Sequence, residues 1–114
     1  MNVPDSLAEL AQDLRAKVRF GYPWWLRPLL MKGVIGITLG RRIYVRSNLA
    51  DLSMERLLRH ELAHIRQINR HGLIGFYARY VAEFFRHFAR VRSISRAYSL
   101  ISFEIEAVAA EKDL

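Results

Sequence analysis

The sequence predicts one α+β domain, in which a small antiparallel β-hairpin packs on a helix that carries two histidines, with about four α-helices in total. Three observations predict it. Residues 33–46 are rich in β-branched and aromatic side chains on either side of Gly40-Arg41, the pattern of a hairpin. Apolar residues recur at spacings of three and four through 5–19, 54–70, 73–92 and 100–112, the period of helices with one buried side. The chain has 114 residues, of which 52% are apolar. That is enough for one hydrophobic core and too little for two, so residues 1–114 are expected to form a single domain.

The N-terminal helix is expected over 5–19. Leu7, Leu10, Ala11, Leu14 and Val18 form its stripe, Asp5 or Ser6 caps its start, and Gly21 with Pro23 ends it. The next stretch, Tyr22-Pro23-Trp24-Trp25-Leu26-Arg27-Pro28-Leu29-Leu30-Met31, is apolar, but two prolines bar a continuous helix. It reads either as a loop whose tryptophans lock the first helix onto the core or as an exposed aromatic platform. In the hairpin, Ile37 and Leu39 are expected on one face, as are Ile43 and Val45, with Thr38, Arg42 and Tyr44 opposite. Glycine at the first turn position suits a type II′ turn. An edge strand there, beside the histidine helix, would hold an extended peptide by main-chain pairing.

Residues 47–53 read as a connection, with Asp51 or Ser53 capping the helix over 54–70. Leu57, Leu58, Leu62, Ile65 and Ile68 supply the buried side of that helix, and Gly72 stops it. The longest helix, over 73–92, has a stripe of Leu73, Phe76, Tyr77, Tyr80, Val81, Phe84, Phe88 and Val91, with Arg79, Arg86 and Arg90 largely opposite. It reads as a core helix with a solvated basic face, or as one suited to an anionic membrane surface. Residues 93–99 are polar and read as a loop or a helix break. Ser102 is expected to cap the last helix, over 100–112, which sets Glu104 and Glu106 in an otherwise apolar stretch. A carboxylate is costly there unless it is paired or binds a metal.

Composition narrows the chemistry. Cysteine is absent, which removes disulfides, thiolate ligands and a cysteine nucleophile. Any metal must therefore rest on His, Asp or Glu. The net charge is +7, and all but three of the 18 basic residues are arginine, which favours encounters with anionic partners. No nucleic-acid motif accompanies the charge, so no specific nucleic-acid partner is expected; weak contact with an anionic membrane surface is. The N-terminus lacks a basic start followed by an apolar core, and no run reaches the ~18 apolar residues of a spanning helix, so a cytoplasmic location is expected.

The chemistry centres on Arg59-His60-Glu61-Leu62-Ala63-His64-Ile65-Arg66-Gln67. Four residues separate His60 from His64, which places both imidazoles on one helix face, a turn apart, where they can hold one metal ion. In a His-Glu-x-x-His site the glutamate, here Glu61, takes the proton of a metal-bound water. Two imidazoles and a carboxylate make an open three-ligand site, for which zinc is the expected metal. The third ligand lies among Glu104, Glu106, His71, His87 and Glu111. Glu104 and Glu106 point about 200° apart on a helix, so both do not easily reach one ion.

With a helical glutamate downstream, His60-Glu61-x-x-His64 resembles the gluzincin clan of zinc peptidases. Glu104-Ile105-Glu106-Ala107-Val108 is similar to that clan's Glu-x-x-Ala/Ser-Asp at Glu104 and Ala107. It departs at Val108, where the clan often has an aspartate that supports a zinc-bound histidine. The resemblance implies Glu104 as third ligand and leaves the aspartate's part to another group, such as Glu106. Together with the hairpin Ile37–Val45 and with Phe103, these blocks resemble the minimal bacterial zincins of the minigluzincin type, over roughly residues 33–110. That resemblance implies a zincin-like fold with the edge strand above the zinc helix. It also implies Zn2+ as cofactor and a peptide or protein substrate hydrolysed with Glu61 as general base. An oxyanion stabiliser is needed besides the metal. Tyr98, just before the glutamate helix, is expected to supply it, ahead of Tyr44, His71, Tyr77 and Tyr80. The competing expectation is a non-catalytic zincin-fold module that binds a partner protein or an anionic surface.

Overall fold

In a computed structural model of the protein, residues 3–26, 36–46 and 51–112 are described. The hairpin's residues 33–35, the aromatic stretch beyond 26 and residues 47–50 of the expected connection lie outside the described residues. Helix α2, Asp51–His71, is the axis around which the other elements sit. Ahead of it come helix α1 (Asp5–Asp13) and strands β1 (Lys17–Phe20), β2 (Gly36–Leu39) and β3 (Arg42–Val45). After it come α3 (Leu73–Val91), α4 (Ile94–Leu100) and α5 (Ser102–Ala110). The described residues thus form an α+β domain of five helices and a three-stranded mixed sheet. No helix among them is long and apolar enough to cross a membrane.

The first helix is shorter than expected, nine residues over Asp5–Asp13 where the apolar spacing predicts 5–19. Its N-cap is Pro4, not Asp5 or Ser6, and it stops at Asp13. Arg15 turns left-handed, with φ +56°. The Ala16 and Arg15 amides then donate to the Ala11 and Gln12 carbonyls, a Schellman closure. The chain leaves this turn as strand β1, which pairs in parallel with β3, Val18 opposite Ile43 and Phe20 opposite Val45. Val18, expected on a helix face, is a strand residue packed on the core.

The hairpin forms with Gly40 at φ +64° in the turn. Its faces differ from the expectation. Leu39 pairs with Arg42, Thr38 with Ile43 and Ile37 with Tyr44. Opposed residues share a face, so Thr38 joins Ile43 and Val45 on the side toward α2, and Ile37 and Leu39 join Tyr44 and Arg42 on the other. The two-residue turn dictates this: it opposes the residues that flank it, and alternation fixes the rest. Gly36 lets β2 approach α2, because a Cβ there would lie 2.9 Å from a Leu57 methyl.

Helix α2 touches α1, α3, α5 and β2. Its Leu57, Leu58, Leu62, Ile65 and Ile68 are all buried, as the periodicity predicts. The helix already includes Asp51 and Ser53, which were expected as caps. One core cluster joins α1, β3 and α2 through Leu7, Ala11, Ile43, Val45, Leu58 and Leu62. A second joins α2 to α3 and α5 through Ile68, Phe76, Ile101 and Phe103.

Two further elements depart from expectation. The stretch expected as a loop or a helix break is a break at Arg92 and Ser93 only; residues 94–100 form helix α4, whose Ser93 cap accepts from the Arg96 amide at 3.4 Å. Ser102 does not cap α5; Ile101 stands at that position without a side-chain cap. Of the aromatic stretch, Leu26 is buried and Trp25 meets the Tyr44 ring edge-on at 6.2 Å, whereas Trp24 stands in solvent. Trp25 therefore packs on the outer face of the sheet.

Candidate metal centre

The site is assembled from α2, α5 and the end of the chain beyond α5. His60 and His64, one turn apart on α2, have ring centroids 5.0 Å apart. Glu104, in the first turn of α5, reaches both: its Oε1 is 2.9 Å from His60 Nε2 and 3.2 Å from His64 Nε2. One ligand atom from each of the three residues lies within 4.8 Å of the others. His64 and Glu104 are buried and His60 is half-buried.

Both imidazoles are held at both nitrogens. His60 Nδ1 lies 2.8 Å from Glu111 Oε2, and His64 Nδ1 lies 2.9 Å from Gln67 Oε1. Gln67 donates through Nε2 to the Phe103 carbonyl and to Glu106 Oε1, which leaves its carbonyl oxygen facing His64. His64 Nδ1 must then be the donor. A neutral imidazole carries one N–H, so His64 Nε2 presents a lone pair to the Glu104 carboxylate, and His60, with a carboxylate at each nitrogen, presents one to Glu104 or to Glu111. Lone pairs that face each other at such distances need a cation between them. Either each ring takes a second proton or one metal ion accepts all three donors; the imidazole–carboxylate set suits zinc, whose bonds to such atoms are about 2.0–2.2 Å.

With protons in that role, the titration of the group shifts as expected. Burial works against the charged form of His60, but the Glu104 and Glu111 carboxylates outweigh it and push the imidazole up to about 9. His64 is raised by Glu104 against the same opposing burial. Burial raises the Glu104 carboxyl, but the two histidines dominate and hold it well below the usual carboxylate range.

Glu61 lies inward on α2 and is itself buried. The Thr38 hydroxyl of β2 donates to its Oε2. Burial pushes the Glu61 carboxyl up, opposed by His64, Thr38 and His60. Tyr77 of α3 fixes β2 in turn: its hydroxyl donates to the Thr38 carbonyl at 3.2 Å and accepts the Gly40 amide at 3.0 Å. The outward main-chain carbonyl of the expected peptide-binding edge is thus already occupied at Thr38.

Tyr80 of α3 donates its hydroxyl to Glu104 Oε2. Phe76 and Tyr80 flank the His64 ring at 6.0 and 6.4 Å. Tyr98 of α4 is partly exposed, and its ring lies 6.5 Å from that of Tyr80. Burial, then the charges of Glu104 and Glu61, raise its phenol. The expected residues Glu61, Tyr98, His60, His64 and Glu104 are therefore neighbours. The other candidates for third ligand fall elsewhere. His71 is exposed against the Phe103 ring, His87 is outside the cluster, Glu106 binds Gln67 and Glu111 sits on the far nitrogen of His60. Position 108, valine in this chain, is exposed, and Glu111 and Gln67 hold the histidines directly.

A second carboxylate matters at one remove. Glu83 of α3 accepts from the Ser102 amide at 2.9 Å, from the Ser102 hydroxyl at 2.8 Å and from Arg79 Nε at 3.0 Å. It supplies from outside the cap that α5 lacks, two residues before Glu104. Nothing local in the sequence marks this contact.

No protein-family model, curated protein or solved structure matches this chain.

Proposed function

We propose that the protein is a zinc-dependent peptidase of the zincin type that hydrolyses peptide bonds in a peptide or protein substrate. The observation that carries this reading is the convergence of His60, His64 and Glu104 with every outer nitrogen of the imidazoles already engaged. These three residues would hold the metal, which when bound supplies Lewis acidity to a carbonyl and acidifies water. The chain's own residues do the rest. Glu61 accepts the proton from the attacking water and returns it to the leaving amine. Thr38 keeps the Glu61 carboxylate in place through its hydroxyl. Gln67 and Glu111 hold the imidazoles in the tautomer that leaves Nε2 as the donor atom. Tyr80 orients Glu104, and Tyr98, whose phenol meets both Glu104 and Tyr80, donates to the oxyanion.

The test is zinc content together with a Glu61→Gln comparison over a broad peptide library. The zinc-loaded protein is expected to cleave, and Glu61→Gln to bind zinc equally while turning over about 10²–10⁴-fold more slowly. Identical cleavage by the two would remove the peptidase reading.

A second reading has one observation in its favour. Tyr77 fills the edge of β2 at Thr38, and two surface concavities, one around Arg15, Trp25 and Arg42 and one around Arg79, Glu83 and Ser102, both lie apart from the histidines. This suits a non-catalytic module of the same fold that binds a partner protein. Zinc binding without cleavage of any library peptide would favour it.

A further inference from the structure

Helix α3 turns an apolar face to water. At about 100° per residue, Ile74, Ala78, Val81 and Phe85 fall within about 60° of one another. All four are exposed, Ile74 to 85% and Phe85 to 62%. The core takes Phe76 and Glu83 from the opposite side of the helix. The expected division of this helix is therefore shifted: Val81 lies outside, on a stripe that no described element covers. Leu73 at the start of α3 and Ile94 beyond its end are also exposed.

The charges beside the stripe are all of one sign. Arg79, Arg86 and Arg90, spaced by seven and four, form a row about a third of a turn round the helix from it; Arg79 is engaged by Glu83 and the Phe103 ring, so Arg86 and Arg90 are its outward cations. Arg92 and Arg96 follow in the next turn of chain. From 73 to 100 the single acid is Glu83, which is buried and committed to Ser102 and Arg79. The solvent face of α3 and its continuation is thus apolar and cationic, with no exposed carboxylate.

We propose that this face docks on an anionic lipid membrane. A bilayer interface accepts both halves of the surface: the stripe enters the acyl boundary while the arginines extend their stems along it to the headgroup phosphates. Nucleic acid matches the arginines but has no use for Ile74, Val81 and Phe85 at the centre of the contact. A second copy of a chain with net charge +7 brings arginine rows against arginine rows. No described helix is long and apolar enough to cross the bilayer, so α3 lies on it and does not span it. The metal centre contributes nothing to this surface, and the inference is independent of the peptidase reading.

The experiment is flotation of the whole protein with vesicles of phosphatidylcholine, with and without phosphatidylglycerol, at physiological ionic strength. The protein is expected to float with the anionic vesicles only. Ile74→Ser and Phe85→Ser, which leave the charge unchanged, are each expected to weaken partitioning roughly tenfold. Arg86→Gln with Arg90→Gln is expected to weaken it by roughly thirtyfold. In Phe85→Trp, emission should move to the blue and be quenched by brominated acyl chains beyond the background from Trp24 and Trp25. Because the substituted side chains are exposed, unchanged melting and circular dichroism are expected throughout. Absence of flotation overturns the proposal. Equal flotation of the serine variants without quenching also overturns it, by reducing the contact to charge alone. A concentration-dependent dimer abolished by Phe85→Ser assigns the face to a second copy and overturns it too.

Discussion

Glu61 owes its position to a hydroxyl 23 residues upstream: Thr38 donates to its carboxylate from strand β2. A buried carboxylate left without a donor costs about 1–3 kcal/mol. Thr38→Val keeps the shape and removes the donor, so it is expected to lower stability by that amount. Thr38→Ser is expected to restore most of it. Thermal melting of the three proteins checks this without reference to turnover. An unchanged melting temperature in the valine variant would mean that the contact is not formed in solution. If the peptidase reading holds, the same variant should retain zinc and lose rate. At this scale the sequence marks what local spacing can mark. His60 and His64 are a helical turn apart, and Glu61 lies between them. Glu104 followed from a resemblance and from the cost of a carboxylate in an apolar helix. Thr38, Tyr80 and Glu111 carry no comparable signal for the parts they play, because each becomes a partner only when packing brings together segments remote in sequence. Gln67 is within reach of local spacing, three residues beyond His64 on the same helix face.

The elements with long periodic stretches are legible, and those governed by their ends are not. Helices α2 and α3 span the residues their apolar spacing predicts, although Leu73 and Val81 of the expected α3 stripe are exposed. The first helix does not, because Leu14 and Val18 continue the helical period while Lys17–Phe20 also alternates with period two. The arbiter is the left-handed Arg15, which a side chain other than glycine or asparagine rarely advertises. Arg15→Gly is therefore expected to stabilise the protein by roughly 0.5–1 kcal/mol, by relieving the Cβ penalty of that conformation. Urea denaturation measures it, and a loss of stability would show that the closure depends on the arginine side chain. Helix α5 presents the reverse case, a start with no cap of its own. Glu83 provides one from α3, through hydrogen bonds to a charged acceptor that are together worth about 1.5–3 kcal/mol. Glu83→Gln is expected to lose about that much. Burial acts to raise the Glu83 carboxyl, but the Ser102 amide and hydroxyl with Arg79 outweigh it and hold it below its ordinary value. A depressed carboxylate stabilises the fold fully above its unfolded pKa of about 4.3, and the stabilisation is lost as pH falls through the lower folded value. The stability difference between wild type and Glu83→Gln should thus be constant near neutrality and shrink only in acid. A difference that shrinks already at neutral pH would contradict the assignment.

Across the whole molecule, α2 is where the two halves meet. On one side it packs with α1 and the sheet, on the other with α3 and α5. Among the described residues the buried cluster on the second side is smaller, and Ala63, Ala107 and Ala110 fill a seam between α2 and α5 with little apolar volume. The polar cluster sits beside that seam, where His60 and His64 face Glu104 with lone pairs that need a cation between them. A metal ion bound there ties α5 to α2 directly. It binds the folded chain and has no comparable site in the unfolded one, so it should stabilise by mass action, about 2.7 kcal/mol at a free concentration a hundredfold above the dissociation constant. Zinc added to the chelator-treated protein is expected to raise the melting temperature accordingly. His60→Ala and Glu104→Gln should abolish that rise, and Glu61→Gln should keep it, because Glu61 lies outside the ligand set. This pattern separates the metal centre from any activity built on it. A rise that survives Glu104→Gln would place the ion on other residues, and a rise lost with Glu61→Gln alone would make that carboxylate a ligand and not a base.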